Sequence, residues 1–135
     1  MNFSIEDCPQ YTDERGSLTQ LITNSFLSKQ SIPFGQVYFL DFIKKGTVRG
    51  NHFHNLSSEV FCLIYGSVTV TLEDIVTKER ATIELRVTNG KIQRLIIGNK
   101  IAHSIISESD YAMMVCYSSA EYIKDEEDKH FYQLI

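Results

Sequence analysis

Short runs of hydrophobic residues, some alternating with polar residues and some nearly continuous, recur along almost the whole chain. Glycine, asparagine, serine and aspartate separate these runs, and no helical period of useful length interrupts them. Closely spaced runs of this kind are typical of an all-β sandwich or barrel. The pattern predicts strands at residues 17–22, 36–43, 48–54, 59–65, 67–74, 79–87, 91–97, 102–106 and 111–118.

Three stretches lie outside this pattern. Residues 1–12 show no clear periodicity, so a strand there is not readable from the sequence. Residues 26–33 are predicted as a loop or a short helix, which Pro33 ends because proline cannot continue a helix. The tail, residues 120–135, carries a mixed charge run that we interpret as a solvated helix or loop, and its aromatic end is expected to pack back on the body or on a second subunit.

Length and composition indicate an ordinary globular protein. The chain has 135 residues, 43% of them hydrophobic and 22% charged, which predicts a single domain over residues 1–135. The net charge of -4 argues against nucleic acid or an acidic membrane surface as a partner. No apolar run approaches the roughly 20 residues of a membrane span, and the first residues do not resemble a signal peptide, so a cytoplasmic location is expected. The three cysteines are far apart in the sequence and fit reduced thiols.

Four side chains between residues 52 and 103 describe a possible chemical site. His52 and His54 are two residues apart, so on a strand both imidazoles lie on the same face. A turn at residues 55–58 reverses the chain, and Glu59 opens the strand that would run back beside them. With His103 these donors suit zinc, iron, manganese or nickel, although hydrogen-bonded barrel residues without an ion are the alternative interpretation.

The spacing of Gly46, His52, His54, Glu59 and Gly66 resembles the first motif of the cupin superfamily. The second cupin motif, Pro-x-Gly-x-x-His, is reduced here to a segment that starts at glycine and ends at His103. The resemblance implies a single cupin barrel, also described as a double-stranded β-helix or jelly roll, with a short C-terminal tail. It also implies one divalent metal held by His52, His54, Glu59 and His103, with zinc foremost and iron, manganese or nickel as alternatives, and no organic cofactor.

A wider pattern is similar to the cupins that act on sugar nucleotides. It combines Asp-Glu-Arg-Gly at residues 13–16, Arg-Gly-Asn-His-x-His at residues 49–54 and the late Tyr117. The relatives are dTDP-4-keto-6-deoxyglucose 3,4-ketoisomerases, dTDP-4-dehydrorhamnose 3,5-epimerases and the zinc-binding cupin domain of capsular-polysaccharide epimerising reductases. The resemblance implies an isomerase or epimerase that acts on a nucleotide-linked 4-keto-6-deoxysugar through an enediolate, in surface polysaccharide biosynthesis, and a homodimer.

The same resemblance implies roles for individual residues. His52 matches the general base, with His54 as its partner, and Tyr117 matches the late tyrosine that acts as the acid. Tyr38 is a second candidate for the acid by its place before the histidine motif, although both tyrosines also fit the core or wall of a barrel. Arg15 and Arg49 are the residues expected to hold the pyrophosphate and the enolate oxygen.

Two questions stay open at this stage. Arg49 precedes His52 by three residues, so it faces away from the histidine on a regular strand and toward the mouth of the site only if Gly50 bulges the strand. A histidine that gives its lone pair to a metal cannot also serve as the general base, so an ion bound by His52 requires another base. The competing functions are a non-enzymatic, metal-binding cupin that binds sugar and a metal-dependent dioxygenase or lyase.

Overall fold

The computed structural model describes residues 1–122 and 128–135, and β-strands make up most of them. The strands are β1 Phe3–Asp7, β2 Gln10–Asp13, β3 Gly16–Thr19, β4 Gln36–Phe42, β5 Val48–Phe53, β6 Glu59–Tyr65, β7 Ser67–Asp74, β8 Arg80–Arg86, β9 Gln93–Ile97, β10 Ile101–Ser107, β11 Ala112–Ser118 and β12 His130–Phe131. One short helix, α1, runs over Asn24–Lys29. The described residues therefore form an all-β fold, as the sequence predicts.

Two antiparallel sheets of five strands face each other. The first has the order β1-β9-β6-β11-β4 and the second the order β12-β5-β10-β7-β8, while β2 and β3 form a separate hairpin. Strands that neighbour each other in a sheet are mostly far apart in the sequence, because the chain crosses repeatedly from one sheet to the other. This is the jelly-roll arrangement of a cupin barrel, and it confirms the predicted fold class.

The space between the sheets is filled by the inward-facing side chains of both. Phe42, Phe61 and Leu95 of the first sheet pack with Val70 and Ile105 of the second, and all five are buried. These residues occupy alternate strand positions, because successive side chains of a strand point to opposite faces. Burial of side chains of this size contributes about 1.5–3 kcal/mol each, so this core is the main source of the fold's stability.

A second buried cluster lies on the outer face of the first sheet, where α1 covers it. Thr23 caps the helix, since its hydroxyl accepts a hydrogen bond from the backbone N–H of Phe26 at 3.1 Å. Phe26 packs there with Val60 and Tyr117, which lie on β6 and β11. The first sheet is consequently covered on both faces, which explains why β6 has hydrophobic residues on both faces in the sequence.

Several expectations need correction. Residues 1–12 contain two strands, and β1 pairs with β9 of the same chain. Both strands are short and partly exposed, so they lack the alternation that marks a strand. The strand predicted at residues 17–22 ends at Thr19, because Leu21 and Ile22 pack against the outer cluster instead. Residues 123–127, which hold most of the charge run in the tail, lie outside the described residues.

None of the helices in residues 1–122 and 128–135 has the length and apolar character needed to cross a membrane.

Candidate active site

The three site histidines meet between the two sheets. His52 on β5 lies directly opposite His103 on the neighbouring strand β10, and their ring centroids are 4.6 Å apart. His54 follows on the same side of β5, with its ring centroid 5.1 Å from that of His52. The expectation that a His-x-His pair on a strand directs both rings to one face therefore agrees with the structure.

A β-bulge in β5 sets the direction of Arg49. His103 pairs with His52, whereas the next residue of β10 pairs with Gly50, so Asn51 is the extra residue. Gly50 has a φ of 92° and Asn51 a φ of 57°, both in the left-handed region. A Cβ atom at Gly50 would lie 2.6 Å from the carbonyl oxygen of His103, so only glycine fits there. Because of the bulge, Arg49 lies on the same face as His52, which answers the question left open by the sequence.

Glu59 is the buried acceptor at the centre of the cluster. It is 5% exposed and accepts a hydrogen bond from the hydroxyl of Tyr38 at 2.7 Å through Oε2. The other oxygen, Oε1, lies 3.0 Å from Nε2 of His54 and 3.4 Å from Nε2 of His103. Neither contact meets hydrogen-bond geometry, so within the described residues Oε1 is a buried oxygen without a hydrogen-bond donor. Such an orphaned acceptor is expected where a cation or a ligand completes the site.

Burial and the neighbouring charges shift the pKa values of the histidines in different directions. Burial, together with the nearby His103 and His54, lowers the pKa of His52 to about 4. Burial also lowers the pKa of His103. For His54, burial acts in the same direction, but the Glu59 carboxylate and the carbonyl of Asp128 raise its pKa above the ordinary value. At neutral pH His52 is thus a neutral imidazole with an available lone pair.

The two acids of the site are displaced in opposite directions. Burial alone would raise the pKa of Glu59, but His103, His54 and the Tyr38 hydroxyl bring it down to about 2. Burial and the adjacent Glu59 carboxylate raise the pKa of Tyr38 well above its ordinary range. Glu59 is therefore a carboxylate at neutral pH, and Tyr38 keeps its proton.

A pocket of about 140 Å³ opens onto this cluster. Its wall includes Tyr38, Arg49, His52, Glu59 and His103. The guanidinium of Arg49 donates to the backbone carbonyl of Asp41 at 3.1 Å and lies over the ring of Phe42, and the residue remains exposed. Two larger concavities of about 420 and 480 Å³ lie at the β2–β3 hairpin and beside α1, but neither is lined by any of the four candidate metal ligands.

The structure brings together six of the eight residues that the sequence analysis selected. They are Tyr38, Arg49, His52, His54, Glu59 and His103. The four candidate metal ligands among them have donor atoms that all lie within 4.8 Å of one another. The structure supports their grouping, and their individual roles stay predictions.

Tyr117 does not reach the histidines, so its predicted role as the acid is corrected. It lies on β11 with Val60 and Val37 as neighbours, one residue out of phase with the inward-facing Cys116. Its side chain therefore points to the outer face of the first sheet, where it is 1% exposed. The hydroxyl donates to the carbonyl of Pro33 and accepts from the N–H of Gly35, so it anchors the loop after α1.

Arg15 lies in the turn of the β2–β3 hairpin, outside the histidine pocket. Its guanidinium is paired with Asp13 at 2.6 Å, and its side chain is 84% exposed. Arg15 therefore lies in a solvated hairpin turn, which is the interpretation that composition alone favours. The structure does not bring Arg15 to the pocket, and its role toward a nucleotide stays a prediction.

Two further residues at the site were missed by the sequence analysis. The backbone carbonyl of Asp128 lies within hydrogen-bond distance of Nδ1 of His54. Asn51 forms the bulge and holds the C-terminal residues through its side chain. Asp128 belongs to a charge run that resembles a solvated surface, so no sequence signal marks it. The Gly50-Asn51 pair was readable as a turn or bulge signal.

Comparison with known proteins assigns the chain to a family. The family model described as polysaccharide biosynthesis C-terminal domain matches residues 11–131. A search of curated proteins gave no match.

Three solved structures illustrate the fold. A 3,4-ketoisomerase from Helicobacter canadensis is 23% identical, with a TM-score of 0.79 over 96% of this chain and 90% of that one. The 3,4-ketoisomerase QdtA from Thermoanaerobacterium thermosaccharolyticum, as a variant in complex with TDP-4-keto-6-deoxyglucose, is 23% identical, with a TM-score of 0.73 over 95% and 86%. NovW, a 4-keto-6-deoxy sugar epimerase from Streptomyces spheroides, is 18% identical, with a TM-score of 0.76 over 90% of this chain and 65% of its own length. This chain therefore shares the fold of these solved structures.

Proposed function

Since the chain belongs to the family of polysaccharide biosynthesis C-terminal domains, we propose that it is an isomerase or epimerase in surface polysaccharide synthesis. Its substrate is a nucleotide-linked 4-keto-6-deoxysugar, because the similar QdtA variant binds TDP-4-keto-6-deoxyglucose and the similar NovW is a 4-keto-6-deoxy sugar epimerase. The observation that carries the proposal is a neutral, half-buried His52 that shares one pocket with the cation Arg49 and the protonated Tyr38.

The proposed reaction begins with removal of a proton from the carbon next to the keto group. The carbonyl acidifies this C–H bond, and the neutral imidazole of His52 accepts the proton as general base. The electron pair of the broken C–H bond then moves toward the keto oxygen and gives an enediolate. Return of a proton to the former carbonyl carbon, together with passage of the adjacent hydroxyl proton to the former keto oxygen, moves the ketone. Return of a proton to the opposite face of the original carbon instead gives an epimer.

In this proposal Arg49 stabilises the negative charge of the intermediate, and Tyr38 supplies a proton to it. The guanidinium of Arg49 lines the same pocket as His52 and can stabilise the negative oxygen by charge-assisted hydrogen bonds. Tyr38 keeps its proton at neutral pH because its pKa is raised by burial and by Glu59. Because its side chain lines the same pocket as His52, Tyr38 is our candidate for the group that returns a proton, in place of Tyr117.

The size of the pocket fits the reacting end of such a substrate. The pocket has a volume of about 140 Å³. A sugar ring can enter in part, whereas a nucleoside diphosphate has to lie outside the mouth. Arg49 is exposed, so its guanidinium can bind an anionic group of the substrate that lies outside the pocket.

The side chains also fit one divalent ion. Glu59 Oε1 is buried without a hydrogen-bond donor, and its two nearest ring nitrogens belong to His54 and His103. Two imidazoles and one carboxylate are a donor set that zinc takes in catalytic sites. We propose that His54, Glu59 and His103 would hold the ion, which would supply Lewis-acid polarisation of a carbonyl. His52 then remains available as the base.

Metal content tests this assignment. Elemental mass spectrometry on the wild type, Glu59→Gln and His52→Asn is expected to give about one ion per chain in the first and third and none in the second. Loss of the ion in His52→Asn as well would mean that His52 is a ligand and that another group is the base. A metal-free wild type after growth and purification with added zinc would contradict the ion altogether and leave the histidine mechanism.

The reaction itself is tested with dTDP-4-keto-6-deoxyglucose in D₂O. Proton NMR is expected to show deuterium at the carbon beside the keto group and the appearance of a shifted ketone or an epimer. The matched control is His52→Asn, which should remain folded and exchange at least about 10²-fold more slowly, the contribution of a positioned general base. Absence of exchange by folded wild type, with and without zinc, would contradict the proposal and favour a sugar-binding cupin without catalysis.

We further propose a homodimer in the cytoplasm. The outer face of the edge strand β4 exposes Val37 and Phe39, and the β2–β3 hairpin exposes the facing pair Tyr11 and Leu18. Large apolar side chains left uncovered in this way favour a contact with a second copy. The three cysteines are unpaired, which suits a reducing compartment. Analytical ultracentrifugation should give twice the 15.5 kDa mass of one chain, and a monomer at micromolar concentration would contradict the dimer.

A further inference from the structure

The C-terminal segment, residues 128–135, lies along β5, which carries His52 and ends one residue before His54. Within it, β12 pairs with β5 so that His130 faces Phe53 and Phe131 faces His52. The next residue continues this contact, because the N–H of Tyr132 donates to the carbonyl of Asn51 at 2.7 Å. The end of the chain therefore forms an edge strand directly beside the histidine motif.

The segment also holds the residue that forms the bulge. Oδ1 of Asn51 accepts hydrogen bonds from the N–H groups of Leu134 at 2.9 Å and Ile135 at 3.2 Å. Nδ2 of Asn51 donates to the backbone carbonyl of Ile135 at 3.3 Å. Leu134 is buried, so these bonds are accompanied by packing. The left-handed conformation of Asn51, on which the direction of Arg49 depends, is thus fastened by four hydrogen bonds to the C-terminal segment.

Asp128 contacts His54 and the turn that follows it. Its two carboxylate oxygens accept from the backbone N–H groups of Asn55 at 3.0 Å and Leu56 at 2.6 Å, in the turn that follows His54. Its backbone carbonyl lies within hydrogen-bond distance of Nδ1 of His54. A carbonyl oxygen can only accept, so Nδ1 must carry the hydrogen in this contact. Nε2 of the same ring is thereby the nitrogen that faces Glu59.

We propose that residues 128–135 are a positioning element of the site, in which the Asp128 carbonyl fixes the ring orientation and tautomer of His54 and the hold on Asn51 maintains the bulge that directs Arg49. Partners of this kind commonly orient histidines that act through their other nitrogen. The inference rests on the geometry of the cluster and holds for either role of His54, as a metal ligand or as part of a metal-free histidine pair.

The test uses Asp128→Ala in the full chain. Long-range ¹H–¹⁵N NMR of the metal-free protein should show His54 protonated at Nδ1 in the wild type. In the variant the turn loses both caps and the carbonyl shifts, so we expect His54 to give a mixture of Nδ1-H and Nε2-H tautomers. The conservative Asp128→Asn retains the carbonyl and one acceptor oxygen, and it should restore the wild-type signal. If zinc binds, we also expect Asp128→Ala to weaken its affinity about 10–100-fold.

The matched control is Tyr132→Phe, which removes a contact of the same segment on its other side. The Tyr132 hydroxyl donates to Glu73 and accepts from Lys78 at 2.9 Å, away from the histidines. This variant should leave the His54 tautomer unchanged. An unchanged tautomer in folded Asp128→Ala, or an equal change in Tyr132→Phe, would overturn the proposal.

Asn51→Gly is the alternative test variant if Asp128→Ala does not fold. Glycine keeps the left-handed backbone and removes the three side-chain hydrogen bonds to the C-terminal residues. We expect faster amide hydrogen exchange at Phe53 and Phe131 and partial mixing of the His54 tautomers. An unchanged tautomer in this folded variant would equally overturn the proposal. Because these readouts need no substrate, their failure is distinguishable from failure of the proposed reaction.

Discussion

Two tyrosines on neighbouring strands of the same sheet point to opposite faces of that sheet. Tyr38 on β4 points into the barrel, where its hydroxyl donates to the Glu59 carboxylate. Tyr117 on β11 points to the outer face, where its hydroxyl joins the carbonyl of Pro33 to the N–H of Gly35. Both are tied by hydrogen bonds, yet only the first lies beside the histidines. The difference teaches that strand parity, more than residue type, decides whether a tyrosine at this site can take part in chemistry.

The largest expected effect on this comparison comes from Tyr38→Phe. Removal of the hydroxyl deprives the pocket of its proposed proton donor, so kcat should fall about 10²-fold, the lower end for a general acid or base. Steady-state kinetics on dTDP-4-keto-6-deoxyglucose, normalised to folded protein, measure it. An unchanged kcat would contradict the proposed role of Tyr38 as proton donor. Neither tyrosine would then take part in the reaction.

A smaller effect, on stability alone, is expected for Tyr117→Phe. The substitution removes the hydrogen bonds of Tyr117 to the carbonyl of Pro33 and to the N–H of Gly35, which at about 0.5–1.5 kcal/mol each lowers the free energy of unfolding by about 1–3 kcal/mol. Urea denaturation monitored by circular dichroism gives this value. Activity per folded molecule should equal that of the wild type, and a loss as large as that of Tyr38→Phe would contradict the assignment of the two faces.

A further effect is a pH dependence of stability that belongs to the inner face only. His52 has a pKa of about 4 in the folded protein, against about 6.5 in an unfolded chain. Between these values the unfolded chain binds a proton that the folded protein does not, so stability falls as pH falls from about 6.5 to about 4. Metal-free His52→Asn should lack this contribution, and Tyr117→Phe should keep it. Urea denaturation across this pH range checks the slopes, and parallel slopes for wild type and His52→Asn would contradict the lowered pKa.

Much of the fold was predictable from hydrophobic periodicity. The strands β6 and β7 have the predicted bounds, since turn residues mark both ends of each. The strands β1 and β2 were not predictable, because their side chains are half exposed and do not alternate between hydrophobic and polar. The helix α1 is one and a half turns long, too short to show a period, and it is defined chiefly by the Thr23 cap and by the burial of Phe26.

The candidate site was predictable where spacing within one strand or one hairpin determines geometry. His52, His54 and Glu59 meet because the histidines are two positions apart and one turn separates them from the glutamate. The position of Tyr117 depends on its phase relative to Cys116 within β11, which a short apolar run does not reveal. The contact of Asp128 with His54 joins residues 74 positions apart and uses a backbone carbonyl, which no residue type encodes.

Gly50 shows that a position without a functional group can be as intolerant of substitution as the reacting residues. Any side chain there would press on the backbone of β10, at 2.6 Å from the His103 carbonyl oxygen and 3.1 Å from the Cα of Ser104. The strand would have to separate from its neighbour, and Arg49 would turn away from His52. In a saturation mutagenesis screen, position 50 would therefore be scored as intolerant, together with the histidines of the pocket. A map of intolerant positions around this pocket traces the path of the backbone as well as the groups that react.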